Sequence, residues 1–177
     1  MPDYMPHRPN FRGPISEATP EQAEAEFAHV MASLEHRLGI LASLAGGAGL
    51  RLDMSVSSVD GLEAWYVDTV EPHNPPNGRL ASVWYGVAFD IGLYAGEVLI
   101  TAAPVLRWQI CADRASDSFQ RHVVGGIDDD LGAPWYFDPW LTMSAMGHQV
   151  IDGKRPVLPY LSGLLAEMAR EAQLRRR

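Results

Sequence analysis

The stretch LASVWYGVAFDIGLYAGEVLITA, residues 80–102, decides how this chain folds. Its apolar side chains surround the axis, with Trp84, Phe89, Leu93, Leu99 and Ile100 on one side and Val83, Val87 and Val98 on the other. A helix that is apolar all round is a buried helix. The stretch therefore predicts a central helix with the remaining elements laid against it. Gly86, Gly92 and Gly96 each cost such a helix about 1 kcal/mol relative to Ala, and they read as positions where crossing elements approach closely. Asp90 and Glu97 interrupt the stretch and Pro104 ends it, which argues against a membrane span and against a membrane partner.

Upstream of this helix, Thr19, Pro20 and Gln22 form a capping box with proline at the first helical position. Phe27, Val30, Met31, Leu34, Leu38 and Leu41 then recur at helical spacing, and Gly46-Gly47 marks the stop. Leu52 and Met54 alternate with polar neighbours, so residues 51–55 predict a short strand. Val59, Leu62, Tyr66 and Val70 predict a second helix, ended by Glu71-Pro72 and the proline-rich loop after it.

Downstream, residues 105–112 and 122–127 read as two strands separated by a polar turn. Asp138-Pro139 opens a short helix. A last helix from about Pro159 carries Leu161, Leu164, Leu165, Met168 and Ala172 on its apolar face. The fold class this predicts is α+β: a small, mainly antiparallel sheet of three to four strands, packed by about five helices around one buried helix.

A length of 177 residues fits one domain. Residues 1–18 carry Pro2, Pro6, Pro9 and Pro14 and read as an extended arm, with Tyr4 and Phe11 as its anchors. Residues 19–177 form the domain. The formal net charge of −8 argues against nucleic acid as a partner, because phosphate neutralisation needs clustered Lys and Arg. The basic cluster Arg175-Arg176-Arg177 reads as a solvated helix end. A single cysteine, Cys111, excludes an internal disulfide and points to a reducing, cytoplasmic setting. Its apolar surroundings predict an inert buried thiol. No apolar secretory core is present near the N-terminus.

The helix GLYAGEV (residues 92–98), followed by Trp108 on the next strand and by Asp138-Pro139, resembles a small bacterial family, a domain of unknown function. Its members share a Gly-x-Tyr-x-Gly-Glu-Val helix and a Trp-bearing strand. The likeness spans residues from about 50 to 145 and implies a fold outline, without an activity.

Two sets of residues invite a functional reading. Asp90, Tyr94, Glu97 and Thr101 fall on one stripe of the central helix, and Arg107 follows on the next strand. A carboxylate at Glu97 in so apolar a helix predicts an enclosed charge that needs an internal partner, from Arg107 or from Lys154-Arg155. Asp90 and Glu97 stand two turns apart, about 10.5 Å by helix rise, too far to share a proton. The second set is Asp128-Asp129-Asp130 followed by Trp135-Tyr136-Phe137 and Trp140, an acidic turn beside clustered aromatics. Aromatics at this density fill cores or anchor interfaces. Three consecutive acids lack the alternating ligands of a hard-cation loop. The histidines at 7, 29, 36, 73, 122 and 148 lack zinc-pair spacing, so no metal is expected. There is no nucleophile elbow, phosphate loop or dinucleotide fingerprint, and no cofactor is expected.

The leading expectation is a non-catalytic protein-binding module, of immunity or adaptor type. It would meet another protein, a basic one, through Asp128, Asp129, Asp130, Trp135, Tyr136 and Trp140. One alternative is a small hydrolase or transferase with Glu97 as acid/base, helped by Asp90, Tyr94 or Arg107. Another is a structural subunit of a larger bacterial assembly, or a homo-oligomer, built through the N-terminal arm.

Overall fold

The computed structural model describes residues 4–128 and 132–175. Asp129, Asp130, Arg176 and Arg177 lie outside the described residues. Helix α1 (Pro20–Gly47) starts at the expected capping box: the Thr19 amide donates to Gln22 Oε1 at 2.8 Å, and the Gln22 amide donates to Thr19 Oγ1 at 3.3 Å. It runs through Gly46-Gly47, and the chain turns away at Gly49, whose φ of 76° suits a residue without Cβ. The buried line of α1 is Ala23, Glu26, Val30, Arg37, Leu41 and Ala45. Two charged residues therefore face the interior, a feature the apolar stripe did not announce.

Residues 51–55 do not form the expected strand. Met54 takes a φ of 63°, which breaks an extended run, and its amide donates to the Tyr94 hydroxyl at 2.9 Å. Ser55 instead caps helix α2 (Val56–Thr69). The buried residues of α2 include Val59, Leu62 and Tyr66, as its periodicity predicts, and also Glu63.

Helix α3 (Ser82–Ala102) is the centre of the molecule, with every residue from Gly86 to Gly96 buried. Its length and composition would suffice to cross a membrane, but 72% of that window is buried within the fold. Its glycines receive three different parts of the chain. A Cβ at Gly86 would stand 2.6 Å from Pro6 Cβ, one at Gly92 would stand 2.9 Å from the Trp140 amide, and one at Gly96 would overlap the Trp108 ring. The cost of glycine in a helix is thus offset by close packing on three sides.

Three strands follow: β1 (Arg107–Ile110), β2 (His122–Asp128) and β3 (Pro134–Phe137), an antiparallel meander in the order β1-β2-β3. Trp108 pairs with Val124 and Val124 with Phe137, and the β2–β3 ladder shifts register between Gly125 and Asp128. The aromatic run at 135–137 is thus itself a strand, as β-favouring aromatics allow. Asp138 caps helix α4 (Pro139–Ile151) by accepting from the Leu141 amide at 2.8 Å. Helix α5 (Leu161–Leu174) has no cap from its own N-terminal residue. The carboxylate of Glu63 takes that place, accepting from the amides of Leu161 at 2.8 Å and Tyr160 at 3.0 Å. A buried acid is tolerable there because the helix start offers orphan donors and positive potential. Among the described residues, five α-helices, one of them buried at the centre, and a three-stranded antiparallel sheet make the fold α+β.

Candidate functional site

The arm lies across its own domain and is fastened at two points. At the first, Tyr4 donates its hydroxyl to Asp90 Oδ2 at 2.7 Å. Arg37 of α1 donates Nε to Asp90 Oδ1 at 2.8 Å, Nη2 to Asp90 Oδ2, and Nη1 to the Met5 carbonyl at 2.7 Å. Asp90 is 0% exposed. Burial pushes its carboxyl above the usual range, opposed by the Arg37 guanidinium and the Tyr4 hydroxyl. Burial also raises the Tyr4 hydroxyl, with the Asp90 charge acting in the same direction.

At the second point, Glu26 of α1 accepts the Asn10 amide at 2.7 Å and pairs with His7 Nε2 at 3.1 Å. The His7 ring stacks on Phe89 of α3, centroids 4.6 Å apart. Both fastenings use the charged residues on the buried line of α1. They are partners for the arm and not misplaced surface charges.

Between the arm, α1, the start of α3 and the start of β2 lies a cleft of about 450 Å³. Small-molecule sites typically occupy about 300–1,000 Å³, with apolar walls and a few polar groups. The apolar walls here include Phe11, Phe27, Phe89 and Trp140. The polar part comes from His7 and Glu26, which hold the arm, from Ser82 and Tyr85, and from three consecutive residues, Gln120, Arg121 and His122. Successive side chains in an extended chain point to opposite faces, so three in a row on one wall require a break in the backbone. Gln120 supplies it with a φ of 63°, a left-handed conformation that costs a non-glycine residue on the order of 1–3 kcal/mol.

The guanidinium of Arg121 lies 4.3 Å from the centre of the Trp140 ring. Its Nε donates to the Asp117 carbonyl at 3.3 Å and stands 3.8 Å from Asp138 Oδ2, beyond hydrogen-bond reach. Burial lowers its pKa, opposed by Asp138. His122 packs edge-on against Phe89 at 5.3 Å, and burial pushes its imidazole down to about 4, so it is neutral near pH 7. Neither its ring nitrogens nor the Nη groups of Arg121 hydrogen-bond to another group among the described residues.

The residues singled out from the sequence are dispersed. Asp90 is sealed beneath the arm. Tyr94 is buried and shares hydrogen bonds with Ser58 and the Met54 amide. Glu97 is only half-buried, contrary to the enclosed charge expected of it. Its partner is the indole of Trp108, whose Nε1 donates to Glu97 Oε1 at 2.7 Å, and neither Arg107 nor Lys154-Arg155. The reason is geometric: Gly96 admits the Trp108 ring against the helix, which brings the indole nitrogen to the adjacent carboxylate. Arg107 is exposed on β1, and Arg155 pairs with Asp68 at 3.1 Å. Asp90, Tyr94 and Glu97 thus have separate partners, and Arg107 pairs with none of them.

In the acidic and aromatic set, Asp128 is exposed, Trp135 and Tyr136 are half-buried on β3, and Trp140 turns into the arm cleft. Gln120, Arg121, His122, His7 and Glu26 were not singled out as a group. They lie up to 115 residues apart, and only the buried charges of α1 hinted at them. No group of three or more His, Cys, Asp or Glu among the described residues could hold a metal ion. Comparisons with family models, with curated proteins and with solved structures found no match.

Proposed function

We propose that this is a non-catalytic binding protein that holds a small, largely apolar molecule in the cleft beneath its N-terminal arm. The observation that carries the reading is the wall at Gln120, Arg121 and His122. A strained residue brings three consecutive polar residues to one apolar cleft, and the Arg121 Nη groups and the His122 ring find no hydrogen-bond partner among the described residues. Polar groups held ready in an apolar cleft suit orientation of a ligand. The dispersal of Asp90, Tyr94, Glu97 and Arg107 supports binding over acid/base chemistry.

A screen of aromatic fragments by proton–nitrogen NMR tests this. Binders should shift the resonances of Phe89, His122 and Trp140 together, and Ser82→Trp should abolish those shifts by filling the rim. Ser82 is exposed at the first position of α3, so the substitution spares the core. Hits that ignore these residues, or that survive Ser82→Trp unchanged, contradict the proposal.

A second reading, the adaptor or immunity-type protein module, is favoured by β3. It is an edge strand with half-buried Trp135 and Tyr136 beside exposed Asp128. An edge strand offers unpaired backbone groups to a partner. Affinity purification with wild type and a Trp135→Ser/Tyr136→Ser variant tests it: a partner held equally by both counts against this surface.

A further inference from the structure

Resting on the cleft reading above, we infer that the ligand is an amphiphilic carboxylic acid whose carboxylate is received by Arg121. Four features of the site lead there. Guanidinium donors lie in the plane of the group, and a carboxylate matches two of them side by side. The Arg121 guanidinium carbon stands over the Trp140 ring, 4.3 Å from its centre, so the ring shields one side of the cation without taking up a hydrogen bond. Nε is already engaged by the Asp117 carbonyl, and both Nη groups lack a protein acceptor among the described residues.

Asp138 and Asp117 act on Arg121 through their charge, but neither carboxylate accepts a hydrogen bond from it among the described residues. Asp138 directs Oδ1 to the Leu141 amide and holds Oδ2 3.8 Å from Nε. Glu26, the acid on the opposite wall, is held by His7 and the Asn10 amide. Arg121 is therefore a partly dehydrated cation whose hydrogen-bonding capacity is incompletely used. A cation drawn from water in this way gains most from an anion that restores two hydrogen bonds at once. The fourth feature is His122, the next residue. Its neutral imidazole offers a further donor without adding charge, and Phe11, Phe27 and Phe89 supply walls for an aryl or acyl body.

A matched pair of probes separates this inference from the reading beneath it: naphthalene-2-acetate and naphthalene-2-acetamide, equal in shape and different in charge. Titrated at pH 7.5 and followed by NMR and calorimetry, the acid should bind wild type at least about tenfold more tightly than the amide. Arg121→Gln should abolish the preference, so that this variant binds the acid no more tightly than the amide. Arg121→Lys should not restore the preference, because an ammonium lacks the planar fork. Equal binding of both probes to wild type, with shifts at Phe89 and His122, overturns the acid inference and leaves the cleft reading standing; this arm needs no variant to fold. An acid preference that survives Arg121→Gln also overturns it. If neither probe perturbs the cleft residues up to its solubility limit, the reading and the inference fall together.

Discussion

Asp90 and Glu97 sit two turns apart on one helix, about 10.5 Å along its axis, and the fold treats them in opposite ways. Asp90 is closed off from water and held by a guanidinium and a phenol. Glu97 stays half-buried and is satisfied by one indole N–H at 2.7 Å. The difference lies in what each receives from elsewhere. Arg37 and Tyr4 come to Asp90 from 53 and 86 residues away, whereas Trp108 reaches Glu97 from 11 residues away. The first carboxylate fastens the arm that walls the cleft. The second fixes the first strand of the sheet to the helix.

The largest expected effect comes from breaking the first of these. Asp90→Ala leaves Arg37 charged and unpaired beneath the arm, and should cost about 3–5 kcal/mol in urea unfolding. Adding Arg37→Met to Asp90→Leu should recover much of that loss, because the uncompensated charge is gone. A double variant as unstable as the single would mean that the arm depends on more than this pair.

His122 stands edge-on to Phe89, the neighbour of Asp90, and 6.2 Å from the ring of Trp108, the partner of Glu97. Its folded pKa of about 4 is below the ordinary imidazole value, so as pH falls the unfolded chain takes the proton first. Its contribution is fully present above about pH 6.5 and is lost as pH falls through about 4. Wild type should lose about 2–3 kcal/mol over that window beyond what His122→Phe loses, measured as the difference between their pH–stability curves. Parallel curves would show that the ring is hydrated in the folded state.

On the Glu97 side, Gly96→Ala puts a methyl group into the Trp108 ring and should cost about 1–3 kcal/mol. Gly39→Ala is the matched control on α1, where nothing stands within 4 Å, and should stabilise by up to about 1 kcal/mol. The smallest destabilisation is that of Glu97→Ala, about 1 kcal/mol with a change in Trp108 fluorescence. A loss as large as that of Asp90→Ala would erase the contrast between the two carboxylates.

Much of the scaffold was legible because its signals are local. The Thr19-Pro20-Gln22 box, the Asp138-Pro139 start and the all-round apolarity of residues 80–102 each carry their meaning within a few turns of chain. The glycines of that helix, read as crossing points, are where Pro6, Trp140 and Trp108 arrive. Residues 51–55 misled because alternation alone does not reveal a left-handed residue at Met54. The aromatic run at 135–137 pointed to core somewhat more than to interface, and a half-buried strand at the sheet edge shares features of both. Glu97 was read as the enclosed charge because its neighbours in sequence are apolar, yet enclosure is decided by tertiary partners. The cleft was out of reach for the same reason, since its walls come from the arm, α1, α3 and β2. The one available clue was on α1, where Glu26 and Arg37 share the 3- and 4-residue spacing of Val30, Leu41 and Ala45.

Whether the arm is fastened in solution is the question on which everything else depends. Nitrogen-15 relaxation of the non-proline amides of residues 4–11 answers it directly. Order parameters near those of α1, about 0.85, falling below about 0.6 in Asp90→Asn, are what this account predicts. Low values across the arm in the wild-type protein, with α1 and α3 rigid, would contradict it.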